Sequence, residues 1–312
     1  MDGAAATPAL FERLLARCEG LPPAPTAVAH PCDPLSLEGA IDAARQGLIV
    51  PILVGPEPKI RAAAKAAGQD ISSYRLESTP HSHAAAARAV ALVRSGEAAM
   101  LMKGALHTDE LMHEVVAADP GLRTARRISH AFLMDVKDYP RPLIITDAAI
   151  NVAPGLDDKR DIVQNAIDLA VVLDIASPRV AILSAVETVT TKLPSTIDAA
   201  ALCKMADRGQ ITGGLVDGPL AFDNAVSPDA AREKGIVSEV AGLADILVVP
   251  DLEAGNMLVK QLTFLAGAGA AGVVLGARVP VVLTSRADSA IDRIASCAVG
   301  VLLANSRPAI AA

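Results

Sequence analysis

The feature that most constrains this chain is an alternation in which short, uncharged apolar runs recur between longer Ala-rich segments with helical spacing. Runs such as Ile49–Val54 and Leu143–Thr146 are too short for core helices and are bounded by Pro, Gly or Asp, so they read as strands buried on both faces. Strands of that kind separated by helices predict a parallel α/β sheet. The candidate strands are Thr26–Ala29, Ile49–Val54, Ala98–Met102, Leu143–Thr146, Val180–Ser184, Ile246–Val249, Val273–Leu275 and Val281–Thr284. Helices are predicted over Leu37–Gln46 with Ser36 as N-cap, over Lys59–Ala67 ahead of Gly68, over Glu253–Leu265, and over about Ala287–Ala304.

With four Phe, two Tyr and no Trp in 312 residues, the core has to be filled by Ala, Val, Leu and Ile. Apolar types at 52% against 20% charged types exclude a disordered chain. The length suits about two domains. Composition breaks at the charged stretch Arg123–Arg127 and at the Gly-rich stretch Gly267–Gly276. They predict a variable N-terminal tail over 1–25, a first α/β domain from 26–127 and 276–312, and a second α/β domain, 128–275, inserted into the first. A cleft between two such lobes is the default ligand site.

The 28 basic and 35 acidic side chains leave a net charge of −7, and aromatic platforms for base stacking are scarce, so nucleic acid is not an expected partner. The longest uncharged run, Gln261–Ala277, is short and carries four glycines, so no membrane span is predicted. Met1-Asp2-Gly3-Ala4 lacks the basic start of a secretory signal, which points to the cytoplasm. Cys18, Cys32, Cys203 and Cys297 are scattered and read as isolated buried thiols rather than disulfides or zinc ligands. His81 and His83, two apart, fit no metal motif, so no metal is expected.

Gly267-Ala268-Gly269-Ala270-Ala271-Gly272 matches the dinucleotide fingerprint letter for letter. The context argues against it, because that motif follows a strand and opens a helix, whereas here a helix precedes and a short strand follows.

The stretch Pro280–Ser289 delivers Ser285 and Arg286 to the end of a strand, where open α/β sheets bind ligands. If a helix starts near Ser285, Asp288 and Asp292 fall on one of its faces, and a hydroxyl, a guanidinium and a carboxylate converge. The alternative is that Ser285 caps that helix and the two Asp complement its dipole. Asp217–Ser227, with Asp223 and Asn224, shows no helical or strand period and reads as a turn or a ligand-holding loop. Val249–Met257 runs from a strand end into a helix, and its Gly255, beside Asn256, would let backbone approach a ligand.

Together with Val50-Pro51-Ile52-Leu53-Val54-Gly55, Met102-Lys103-Gly104, Ser129-His130-Ala131-Phe132-Leu133-Met134 and Asp147-Ala148-Ala149-Ile150-Asn151, these three stretches resemble the phosphate acetyltransferase and phosphate butyryltransferase family of phosphate acyltransferases. The resemblance runs from about Thr26 to the C-terminus, with the motifs in order and at compatible spacing. It implies reversible exchange of an acyl group between coenzyme A and phosphate, by direct transfer in a ternary complex, with acetyl placed ahead of butyryl. It also implies a homodimer of two three-layer α/β domains with largely parallel sheets, like isocitrate and isopropylmalate dehydrogenases. No bound cofactor is expected, since coenzyme A and acyl-CoA are substrates.

In the family the Ser-Arg after the last strand contacts the reacting phosphate and carbonyl, which maps onto Ser285 and Arg286. An aspartate seven residues beyond that serine is the base for the thiol, which maps onto Asp292, with Asp288 as rival. Asn256, Asn224, Asp223 and Lys103 are candidate substrate contacts. The substrates are anions, so a local basic patch is required. Arg123, Arg126 and Arg127, with Lys103 and Lys260, supply it for coenzyme A, or else form a solvated hinge. A nicotinamide-dependent decarboxylating dehydrogenase and a non-catalytic binder of a phosphorylated metabolite are the competing readings. A mean hydropathy of +0.39 favours a dimer over a monomer.

Overall fold

The computed structural model describes residues 9–119, 121–283 and 288–306. The chain divides into two compact units, one formed by the residues up to Arg126 together with those from Ala270 onward, the other by Arg127–Gly269. The first segment runs α1 (Ala9–Cys18), β1 (Ala24–Ala29), α2 (Pro34–Arg45), β2 (Ile49–Gly55), α3 (Glu57–Ala66), β3 (Arg75–Ser78), α4 (Ser82–Arg94), β4 (Met100–Lys103) and α5 (Thr108–Val116). The second unit runs β5 (Ser129–Asp135), β6 (Leu143–Thr146), α6 (Leu156–Val172), β7 (Arg179–Leu183), α7 (Pro194–Asp207), β8 (Leu215–Leu220), α8 (Phe222–Val226), α9 (Pro228–Glu233), β9 (Ile246–Val248) and α10 (Leu252–Leu265). The chain then returns through β10 (Gly269–Leu275), β11 (Val281–Val282) and α11 (Ala290–Ser306).

In the first unit the strand order is β3-β2-β1-β4-β11-β10. Strands β1 to β4 and β11 run parallel, and only β10 is antiparallel to its neighbour β11. The chain steps outward from β1 to β3 and then crosses back to β4 on the other side of β1, the doubly wound arrangement whose order reverses between β1 and β4. In the second unit the order is β5-β6-β9-β7-β8, parallel except for β5 against β6. The expected α/β class with largely parallel sheets is therefore what the chain adopts. The core is aliphatic as its composition requires, with Leu37, Ile41, Leu53, Leu101, Leu111 and Leu133 almost wholly buried. Small residues bring α11 onto the sheet: a Cβ on Gly300 would stand 2.5 Å from Met100 Cε.

Several elements differ from their sequence-based expectation for identifiable reasons. Part of the expected tail over 1–25 is structured. Residues 9–18 form α1, whose Leu10, Phe11, Leu14 and Cys18 are buried along one face, and the Cys18 thiol reaches the carbonyl of Ala298 on α11. Helix α2 begins at Pro34 rather than Leu37, because Asp33, not Ser36, is its N-cap and accepts from the Ser36 amide at 2.7 Å. Pro34 at the first helical position is preorganised for that start. Strand β3, Arg75–Ser78, has no apolar run to announce it, since it lies at the sheet edge and carries Arg75 and Glu77 in an ion pair. The stretch expected to be an aperiodic loop, Asp217–Ser227, contributes to β8 and forms α8. Its period is hidden by Gly218-Pro219 and by a register irregularity between Ala181 and Leu183 on the partner strand. Glycine is needed at 218, where a Cβ would stand 2.7 Å from the Ile182 carbonyl oxygen. The Gly267–Gly272 pattern spans the end of α10 and the start of β10, a helix followed by a strand, which is the reverse of a dinucleotide site.

Candidate active site

In the first unit the carboxyl ends of β1, β4 and β11 lie on one edge of the sheet, with Val281 and Val282 of β11 in register with Leu101 and Met102 of β4. Strand β4 ends at Lys103, whose ammonium donates to the carbonyls of Gly104 and Leu106 at 3.2 and 3.3 Å. Gly104 bonds the Ala29 carbonyl so closely that a Cβ there would stand 2.4 Å from that oxygen. His30, at the end of β1, has φ 56° and a buried Nδ1 without a partner. Burial, then the charge of Lys59, hold its pKa below the ordinary value.

Ser285 and Arg286 lie outside the described residues. Helix α11 starts at Ala290, not near Ser285, so Asp288 precedes the helix and does not share a helical face with Asp292. The competing start is a reciprocal cap. The Ser289 hydroxyl accepts from the Asp292 amide, while Asp292 Oδ2 accepts from the Ser289 amide and hydroxyl at 3.1 and 2.7 Å. Asp292 Oδ1 accepts from the Ala270 amide at 2.9 Å. Among the described residues three donors thus orient this carboxylate. The Ser-x-x-Asp pattern of the cap is itself visible in the sequence.

The three arginines of the sequence cluster are divided between the two units. Arg123 and Arg126 are exposed in the first unit, where Arg123 bridges to Ala277 through its backbone. Arg127 belongs to the second unit. Its Nε donates to Asn151 Oδ1 at 2.7 Å, its Nη1 lies 3.5 Å from Asp158, and its amide donates to Asp161.

In the second unit the ends of β6, β9, β7 and β8 share one edge. Beyond β6, buried Asp147 closes its own turn. It accepts from the amides of Ala149 and Ile150 at 2.9 and 3.0 Å, and from the Asn151 side-chain nitrogen at 2.6 Å. Asn256 donates to the Ala148 carbonyl at 3.3 Å, and a Cβ on Gly255 would stand 2.9 Å from Ala148 Cβ. The glycine therefore serves the approach of α10 to this turn. Asp223 is exposed at the start of α8. Asn224 is fully buried, and its side-chain nitrogen donates to Glu187 at 2.6 Å. Glu187 in turn pairs with Lys234, whose hydrogen bond is the largest influence lowering the Glu187 pKa.

His130 of β5 is 1% exposed, its ring centroid 4.3 Å from that of Phe132, and its Nδ1 has no partner. Burial pushes its pKa down to about 4, against the opposing pull of the Asp147 charge. Above pH 6.5 the imidazole is neutral whether the chain is folded or not. As pH falls from 6.5 toward about 4, only the unfolded chain gains the proton, so stability is lost across that window. Urea unfolding at pH 7 and about pH 4.5 should show wild type losing roughly 2–3 kcal/mol more than His130→Gln. Equal losses would contradict the buried neutral assignment.

The four cysteines are free thiols, Cys18 and Cys297 buried and Cys32 and Cys203 half-buried. Burial raises the Cys18 and Cys32 thiols to about 11 and those of Cys203 and Cys297 to about 12, far from a nucleophile's range. Among the described residues no group of three or more His, Cys, Asp or Glu could hold a metal ion, and no helix is long and apolar enough to cross a membrane.

The sequence matches the family described as "Phosphate acetyl/butaryl transferase" over residues 77–301. It is 65% identical over 304 residues to a phosphate acetyltransferase of Rhizobium meliloti, covering 97% of this chain and 96% of that protein. It is 42% identical over 281 residues to a phosphate butyryltransferase of Clostridium acetobutylicum, covering 90% and 93%. A branched-chain phosphotransacylase from Enterococcus faecalis V583 has a similar structure, with TM-score 0.78 and 29% identity over 90% of this chain and 99% of that one. A phosphotransacetylase from Streptococcus pyogenes shares the fold at TM-score 0.81 and 23% identity, over 96% and 99%. Family match and relatives together define an acyltransferase. Within that class, the chain belongs to the phosphate acetyl/butyryl transferase family.

Proposed function

We propose that this chain exchanges an acetyl group between coenzyme A and inorganic phosphate, by direct transfer in a ternary complex. The observation that carries the reading is the 65% identity to a phosphate acetyltransferase across nearly the whole chain, against 42% to a butyryl-transferring relative. In the direction of thioester formation, a carboxylate takes the thiol proton as sulfur attacks the carbonyl carbon of acetyl phosphate. The carbonyl carbon's bond to the phosphate oxygen then breaks, and phosphate leaves. Asp292 is the first candidate for the base, because three donors fix its direction. Asp288 is its rival. Arg286 holds the departing phosphate in a fork, and Ser285 donates to the carbonyl oxygen as charge develops there.

Asp223 and Asn256 are kept as substrate contacts, and exposed Arg123 and Arg126 as contacts of the coenzyme A phosphates. Lys103 and Asn224 are kept beside them, each with a protein partner as Asn256 has in the Ala148 carbonyl, and Arg127 is kept as a coenzyme A contact anchored by Asn151. The free thiols and the substrates suit the cytoplasm. The experiment is to mix the protein with acetyl phosphate and coenzyme A, without metal or nicotinamide, and follow thioester absorbance. Thioester should form faster from acetyl than from butyryl phosphate. The reverse preference would make the chain a butyryltransferase, and thioester from neither would leave a binding protein.

The protein is proposed to work as a homodimer, because α10 exposes Met257, Phe264 and Leu265 by 58%, 72% and 85% on one face. Sedimentation should give twice 31.9 kDa, and Phe264→Asp should shift the population toward monomer. A single 31.9 kDa species for the unmodified chain would contradict this.

A further inference from the structure

Arg293, in the first turn of α11, is 6% exposed, and among the described residues its guanidinium pairs with no carboxylate. Buried guanidinium groups are rarely left so, since desolvating a cation is costly unless an anion compensates. Its Nη1 instead donates to a single neutral acceptor, the backbone carbonyl of Asp288, at 2.7 Å, and its Nε is buried with no partner. The neighbouring helix makes room for it. A Cβ on Gly39 of α2 would stand 2.9 Å from Arg293 Cδ and 3.2 Å from Nε. Glycine is the weakest helix former after proline, so α2 gives up helix stability where the arginine stem crosses it. Capping does not require the arginine, because Ser289 and Asp292 already close the start of α11.

We propose that Arg293 is a positioning residue for acyl transfer, pinning the Asp288 carbonyl to the first turn of α11. The inference rests on the reading of Ser285 and Arg286 as the groups that meet the substrates. Two adjacent residues then share the task. Asp292 grips the amides of Ser289 and Ala270, and Arg293 grips the carbonyl just before them. A charged donor on that carbonyl resists the small displacements to which directly reacting, non-covalent sites are most sensitive.

The test compares wild type with Arg293→Met, which keeps the apolar stem and loses the donors, and with Arg293→Lys, which keeps the charge. Acetyl transfer kinetics, circular dichroism and amide hydrogen exchange are measured on each. In folded Arg293→Met, kcat should fall about 10- to 100-fold with both KM values within about threefold, and exchange should quicken at Ser289 and Ala290 but not in the interior of α11. Arg293→Lys should recover part of both. Wild-type kcat and exchange in folded Arg293→Met would overturn the proposal, as would a loss confined to KM. If Arg293→Met does not fold, Gly39→Ala displaces the stem without removing the charge. The same kcat loss is then expected, and wild-type kcat overturns the proposal. A wild-type protein without turnover would sink the acyl-transfer reading, while the exchange comparison would still decide whether Arg293 clamps the segment.

Discussion

Arg286→Ala lowers the turnover of acetyl transfer by at least about 10²-fold, the lower range for losing a preorganised contact to developing charge. The departing phosphate gathers negative charge as its bond to the acetyl carbon breaks. A guanidinium meets two of its oxygens at once in a planar fork, which water cannot match for direction. Because the benefit grows toward the transition state, the loss should appear mainly in kcat rather than in the KM for acetyl phosphate. Arg286→Lys should recover little of it, since an ammonium is a point charge without the fork. The measurement is initial-rate thioester absorbance at saturating substrates. Turnover within about threefold of wild type would remove Arg286 from the reaction.

Asp292→Asn should cost about 10²- to 10⁴-fold in the rate of thioester formation, the usual worth of a positioned general base. A coenzyme A thiol is mostly protonated at neutral pH if its pKa is near the ~8.5 of a free thiol, so the unassisted route has little thiolate to use. The variant should therefore depend on external hydroxide, and the pH dependence of the forward rate should change shape, not only height. A second effect separates structure from chemistry. The asparagine NH2 would face either the Ala270 amide or the Ser289 amide, donor against donor, costing about 1–3 kcal/mol of stability. Asp288→Asn leaves those bonds intact. If it carries the rate loss while Asp292→Asn loses only stability, the base is Asp288 and Asp292 is a clasp. If neither changes the rate, no carboxylate of this segment takes the proton.

The parallel α/β class was legible because buried strands such as Ile49–Gly55 and Leu143–Thr146 are continuous apolar runs, which no competing element imitates at that length. Strands whose burial is one-sided or whose period is broken were not legible. The polar edge strand at Arg75–Ser78 is one example, and β8, where Gly218 yields to the Ile182 backbone, is another. At the site, the start of α11 was readable in Ser289-x-x-Asp292 but was outcompeted by the more conspicuous Ser285. The Asp147–Asn151 motif was visible as letters only. Its physical content, a carboxylate closing its own turn and steadied by Arg127 through Asn151, needs coordinates. Glu187, with Asn224 and Lys234, left no signal at all. Its partners lie 37 and 47 residues away and meet it only through folding.

Direct acetyl transfer is tested most directly by varying coenzyme A and acetyl phosphate against each other, together with exchange of labelled phosphate into acetyl phosphate when coenzyme A is absent. Reciprocal plots that intersect and no exchange without coenzyme A are expected, because both substrates must be present before any bond breaks. Parallel plots with exchange in the absence of coenzyme A would reveal an acetylated enzyme and contradict the account.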